Sequence, residues 1–217
     1  LSPAFPVGAF SYSHGLEQAV EAGTVADRDG ARAWIEDVLA HGGGRTDAVF
    51  LLHAHALAAA EDSRFLGTIN DLALAYAPSA ERRLETGAQG SAFLKTVAEA
   101  WPSPAMDAIA AALPGEVAYP VAVGAAAGAH AIDADQATFA FLHAFVANLV
   151  SAAVRLVPLG QTDGQRITAA LAPVVRAVAE EAADTSLSEV GGAAILADIA
   201  SMRHETQYTR LFRSCRN

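Results

Sequence analysis

The sequence predicts an all-α protein folded as a single compact multi-helix domain, and three observations carry that prediction. The run from Gln136 to Gly160, QATFAFLHAFVANLVSAAVRLVPLG, sets Phe139, Leu142, Val146, Leu149, Ala153 and Leu156 at steps of three and four, which is one stripe of a helix. Hydrophobic residues fill 53% of the 217 positions, with alanine prominent among them, so core material is ample and helix propensity high. Nowhere do Val, Ile, Thr and the aromatics alternate with polar residues over a sustained stretch, so the usual strand signal is missing. About nine or ten helices are expected, with no internal repeat and no long linker to divide residues 1–217.

Phe141, Phe145 and Val150 add apolar surface off the stripe, so the helix near 136–157 is read as the buried centre of the fold. The 18 residues from Ala137 to Val154 carry no formal charge, a length at which a membrane span comes into question. His143, Asn148 and Ser151 interrupt the run, Asp133, Asp135 and Arg155 flank it, and no second run compares, so a soluble domain is the better reading. His143 is then expected to be a satisfied, buried histidine.

Taken in order, Pro3, Pro6 and Gly8 hold off helix until about Ser11, and a first helix from Tyr12 or Ser13 to Ala22 is closed by Gly23. Asp27 or Asp29 caps the next, which sets Trp34, Ile35, Val38 and Leu39 on one face and Arg32 with Glu36 on another. HGGG at His41 to Gly44 breaks it, a third helix begins near Thr46, and a fourth covers roughly Arg64 to Ala75 with Pro78 beyond. The segment SAERRLETGAQGSAFLKTVAEAW is helical although Gly87 and Gly90 each cost about 1 kcal/mol relative to alanine, so close packing against a neighbour is expected there. Pro102, Pro104 and Pro114 delimit a short helix around Ala105 to Leu113, and Gly124 and Gly128 form a small-residue ridge suited to a tight helix crossing. Pro158 and Gly160 end the apolar run, and Gln161 to Gln165 are read as a loop. Ile167, Leu171, Val174 and Val178 then mark a helix kinked at Pro173, and Ser186 with Glu189 fits a capping box for the helix AILADIASM.

A net charge of -10 argues against nucleic-acid or anionic-membrane binding, which need clustered Lys and Arg. The end of the chain differs: Arg203, Arg210, Arg213 and Arg216 face Glu205 alone. One cysteine, Cys215, excludes an internal disulfide and a cysteine zinc cage, so a reducing compartment, the cytoplasm, is expected. No signal peptide is visible, and a start at Leu1 in place of Met leaves room for residues ahead of it.

Catalytic and metal motifs are incomplete. His53 and His55 stand two apart and so point about 200° from each other on a helix, and HETQY at His204 to Tyr208 lacks the second histidine of a zincin. HGGG has no G-x-S-x-G elbow to serve, and PLGQTDGQ lacks the Lys-Ser/Thr ending of a phosphate loop. No catalytic residue, metal or cofactor is expected. What remains is a set of aromatic and polar residues outside the helices: Phe10, Tyr12 and His14, then Gln161 to Gln165, then Tyr208, Arg210, Phe212 and Arg213. Such residues suit a partner surface or a terminal segment packed on the core.

FPVGAFSYSHGLE at Phe5 to Glu17, PLGQTDGQ at Pro158 to Gln165 and HETQYTRLFRS at His204 to Ser214 resemble the signature segments of the urease accessory protein F (UreF) family. AERRLETGAQGSAFLK from Ala80 and AYPVAVGAAAG from Ala118 are similar to its intermediate blocks, in the same order, so the resemblance spans essentially the whole chain. It implies a helical, non-enzymatic, homodimeric chaperone of urease maturation. With accessory protein D/H it would recruit, and regulate, the nickel-carrying GTPase G, for nickel insertion into apo-urease. It also implies partner contacts at Phe10, Tyr119 and Arg210. Phe10 stands where some members have Tyr, so a phenol hydrogen bond is not essential there. Tyr12, His14, Glu17, Gln161, Asp163, Gln165, Tyr208, Leu211 and Phe212 complete the candidate partner face, with Leu211 and Phe212 burying apolar area and Arg210 pairing with a carboxylate. Segment 203–217 is expected to be loosely ordered alone and fixed in the complex. Two alternatives stay open: a GTPase-activating protein that inserts Arg83 or Arg210, and a metal enzyme built on His53, His143 and His204.

Overall fold

Glycines at two positions of one helix decide how the molecule is assembled. The structure is a computed structural model that describes residues 5–213, so Cys215 and Arg216 lie outside the described residues. Its helices are α1 (Leu16–Glu21), α2 (Arg28–His41), α3 (Gly43–Ala59), α4 (Leu66–Ala75), α5 (Ala80–Ala100), α6 (Pro104–Ala112), α7 (Tyr119–Ala129), α8 (Ala134–Leu156), α9 (Gln161–Ala183) and α10 (Ile195–His204). Short 3-10 turns occur at Ala9–Ser11, Ser63–Phe65 and Leu187–Glu189, and no strand occurs among the described residues.

The ridge at Gly124 and Gly128 makes the tight crossing its spacing predicts. A Cβ at Gly124 would lie 2.1 Å from the Leu51 carbonyl oxygen, and one at Gly128 2.5 Å from that of His55, so α7 and α3 touch backbone to backbone. Every residue of α7 from Pro120 to Gly128 is buried. Gly90 serves α5 in the same way, since a Cβ there would lie 2.0 Å from the Val117 carbonyl oxygen.

The helix enclosed on all sides is therefore α7 and not α8. Helix α8 buries Phe141, Leu142, Val146, Leu149, Val150, Ala152 and Ala153, but Ala140, His143, Ala147, Ser151 and Arg155 face outward. His143 is thus an exposed residue and not a core one. Alanine counts as apolar yet tolerates water, which is why the run reads as uniformly buried; His143, Ser151 and Arg155 at steps of four and eight mark the outer face. Among the described residues α8 is the one helix long and apolar enough to cross a membrane, and half of that stretch is buried inside the fold.

Other differences are local. Helix α1 begins at Leu16 because His14 and Gly15 take left-handed backbone angles, with φ of 52° and 76°. A Cβ on Gly15 would also lie 2.7 Å from the Ser201 nitrogen of α10. Helix α3 begins three residues ahead of Thr46, with Gly44 seated on Leu39. Gln161 to Gln165, read as a loop, form the first turns of α9, because Gly164 is a packing glycine against Val150 and Val154. The helix continues through Pro173. The Ser186–Glu189 capping box closes the 3-10 turn Leu187–Glu189, and α10 starts only at Ile195. Asp27, Ser79, Ser103 and Asp133 cap α2, α5, α6 and α8 through side-chain bonds.

Candidate partner face and the ionic knot beneath it

Helix α5 carries Glu81, Glu85 and Gln89 at i, i+4 and i+8, which places three polar side chains on one stripe, and all three are buried. Buried carboxylates need partners, and two different stretches of chain supply them. Glu85 pairs with Arg82, accepts from Gln89 Nε2 at 2.9 Å, and lies 2.9 Å from His14 Nε2. Burial alone would raise this carboxyl, but the Arg82 guanidinium outweighs it and holds Glu85 down at about 2. Burial and the Arg82 charge together keep the His14 imidazole below its ordinary range, hence neutral. With its proton on Nδ1, Nε2 accepts from Arg82 Nη1 at 2.7 Å; with the proton on Nε2, the ring donates to Glu85. Asp47 of α3 joins the group and is raised by burial, against Arg82, to about 7. His14, Asp47, Tyr76, Arg82, Asp198 and Ser201 line an adjoining cavity of about 330 Å³.

Glu81 faces a second histidine. His204, which ends α10, has no exposed surface; its Nδ1 lies 2.6 Å from Glu81 and its Nε2 2.8 Å from Glu17 of α1. Burial would lower the imidazole, but the bonds to Glu81 and Glu17 hold it above its ordinary range. Glu17 also accepts the backbone N–H groups of Leu211 and Phe212, at 2.5 and 2.9 Å. The return of the chain is reinforced on the outside. Arg213 N donates to the Ser11 carbonyl at 2.8 Å, and Arg155 donates to the Phe10 carbonyl at 2.8 Å. The Arg155 guanidinium stands 4.3 Å above the Phe212 ring, and Phe212 is buried.

The structure thus brings the first and last signature segments together and divides the candidate residues into two groups. Tyr12, His14, Glu17 and Phe212 are interior, so they shape a face without forming it. Phe10, Tyr208 and Leu211 are exposed at 67, 101 and 65%, and Arg210 Nη1 donates to the Glu205 carbonyl at 3.2 Å. Along α10, Ile195, Leu196, Ile199 and Met202 are exposed as well. Tyr119 packs between Phe93 and Phe141, and burial pushes its phenol up to about 12. Arg83 bonds Glu116 at 2.9 Å and the Leu74 carbonyl at 3.2 Å. Gln161 and Gln165 are exposed on the first turns of α9, where Asp163 bonds Arg166 at 3.0 Å and faces Arg28 at 3.8 Å.

The three histidines of the metal-enzyme alternative are engaged separately. His53 Nε2 faces the Thr185 carbonyl at 3.2 Å, His143 is on the outer face of α8, and His204 is enclosed by carboxylates. His55 faces the Ile132 carbonyl at 2.7 Å, on its own. Sequence reasoning missed Glu81, Arg82, Glu85, Gln89 and Asp47. The four-residue spacing of Glu81, Glu85 and Gln89 was the available signal.

Fold and site together define an all-α protein that closes on itself, tying its first and last segments over a buried ionic knot. The sequence profile of the UreF family matches residues 25–172. The urease accessory protein UreF of Xanthobacter autotrophicus is 57% identical over 214 residues, 99% of this chain and 88% of that protein. Those of Rhodopseudomonas palustris (strain BisB5) and Methylobacterium sp. (strain 4-46) are 55% and 53% identical over 99% of this chain, covering 88% and 86% of their own lengths. The chain belongs to the urease accessory protein UreF family.

Proposed function

We propose that this chain serves urease maturation in the cytoplasm as a non-enzymatic, homodimeric scaffold. With the D/H accessory protein it recruits the nickel-carrying GTPase G, and nickel then passes to apo-urease. Family membership supports the maturation role, since the relatives are urease accessory proteins. The observation that carries the scaffold reading is the rim of exposed Phe10, Tyr208 and Leu211, where Glu17 accepts the Leu211 amide and Arg155 donates to the Phe10 carbonyl. Exposed aromatic and aliphatic side chains whose backbone is already fixed lose little entropy on docking, which suits a partner surface. An arginine finger is less well supported, because Arg83 bonds Glu116 and Arg210 bonds the Glu205 carbonyl.

Truncation after Met202 would remove His204 and Phe212 from the interior, so outward substitutions test the reading more cleanly. Leu211→Asp and Tyr208→Ala are expected to weaken co-purification of the D/H protein and the GTPase at least about tenfold, as for interface anchors, with unchanged circular dichroism. Full retention of both partners by the Leu211→Asp, Tyr208→Ala double variant would move the interface elsewhere. Arg83→Ala is expected to leave the complex intact; an intact complex with slowed GTP hydrolysis would instead favour the finger.

A further inference from the structure

His204 is bonded at both ring nitrogens to carboxylates that belong to different helices, Glu81 of α5 and Glu17 of α1. Each nitrogen-to-oxygen line requires its own proton, so the knot is complete only with two protons, while a neutral imidazole brings one. Glu17 in turn is what the backbone of Leu211 and Phe212 bonds to. The remaining Glu81 oxygen, Oε1, is buried without a hydrogen-bond partner, which makes an additional uncompensated negative charge there costly.

We propose that His204 is a proton latch for the C-terminal segment. With both lines protonated it binds Glu17 and Glu81 together, and Glu17 grips the Leu211 and Phe212 amides. Loss of one proton sets an imidazole lone pair against a carboxylate, and residues 205–213 leave the body. No covalent chemistry is involved; the proton exchanges with water.

The charged groups around the ring set the direction. Glu17 faces it from α1 and Glu81 from α5, while Glu205 accepts the Glu81 N–H at 3.3 Å. Arg82, the adjacent residue, and Glu85, one turn further along α5, act on Glu81, Arg213 lies beside Tyr12, and Arg210 holds the Glu205 carbonyl. His204 is held above its ordinary 6.5, so its grip is present below that value and is lost as pH rises through the elevated one. Glu81, raised by burial above 4.5, acts in the same sense, because its ionisation at higher pH places more charge in the interior. A rise in pH therefore releases the segment. If the rim of Phe10, Tyr208 and Leu211 is the partner face proposed above, the latch decides when that face is assembled; the latch itself does not rest on that reading.

Hydrogen exchange on the full chain tests it. Protection factors for the Leu211 and Phe212 amides, corrected for intrinsic exchange, are expected to fall at least about tenfold between roughly pH 6 and pH 9, while Ala125 and Ala126 of α7 stay protected. The His204 ring nitrogen signals are expected to titrate over the same interval. Glu81→Gln supplies an amide N–H that can donate to Nδ1 of a neutral ring while Nε2–H donates to Glu17, so in that variant protection of Leu211 and Phe212 is expected to lose its pH dependence. Flat protection of Leu211 and Phe212 across the interval in the wild type, or release there without titration of the His204 ring, overturns the proposal. Should Glu81→Gln fail to fold, the two wild-type titrations decide it alone.

Discussion

Gly124→Ala is expected to destabilise the fold by about 3 kcal/mol, at the upper end of the cost of overpacking a core. The added methyl would lie 2.1 Å from the Leu51 carbonyl oxygen and 3.0 Å from its Cα. Backbone cannot rotate away as a flexible side chain can, so α3 and α7 must separate along their contact. That separation opens gaps beside Val121, Ala125 and Ala126, all of them buried. Against a typical total stability of about 5–15 kcal/mol, the loss is large. Urea unfolding followed by circular dichroism measures it, with a lower midpoint and an unchanged slope expected. Gly115→Ala is the control: nothing lies within 4 Å of the site, and its effect is expected to stay within about 0.5 kcal/mol. Equal midpoints for the two variants would mean that the crossing is not close-packed.

The tight crossing was legible because a four-residue glycine spacing has few explanations other than close approach of backbones. The helical class was legible for the same kind of reason, since period is a local property of the sequence. What period cannot rank is enclosure. Helix α8 looked central because it is long and apolar, yet the short α7, with few bulky side chains, is the one surrounded, because small residues let neighbours close in from every side. Glycine misled at Gly164 in the opposite direction: it marks packing on Val150 and Val154 inside α9, where a glycine near a proline reads as loop. The resemblance brought the right blocks together, but it could not say that Glu17 and His204 face each other across 187 residues of sequence. Nor could it separate the residues that hold the face, such as His14 and Phe212, from those that form it. Burial depends on long-range contacts, and only the α5 stripe of Glu81, Glu85 and Gln89 announced polar burial locally.

Arg82→Met is expected to cost about 3–5 kcal/mol near neutral pH, because it removes the guanidinium that pairs with the buried Glu85 carboxylate. Methionine keeps much of the volume, so the loss is one of charge and not of packing. The pH dependence separates this from a packing defect. Glu85 is held at about 2 against an ordinary 4.5, so its contribution is present above 4.5 and is lost as pH falls toward about 2. That interval corresponds to something on the order of 3 kcal/mol in the wild type. His14, kept below its ordinary 6.5, adds to the same acid-side loss, because the unfolded chain takes up its proton first as pH falls. Arg82→Met is expected to flatten that acid limb, since the charge that holds Glu85 ionised is gone. Adding Glu85→Gln to Arg82→Met is expected to recover part of the stability at neutral pH, since an amide is cheaper to bury than an unpaired carboxylate and still accepts from Gln89. Denaturant midpoints for wild type, both single variants and the double variant at about pH 3 and about pH 7 close the cycle. Additive single losses with the wild-type acid limb retained in Arg82→Met would show that Arg82 and Glu85 are neighbours without being a pair.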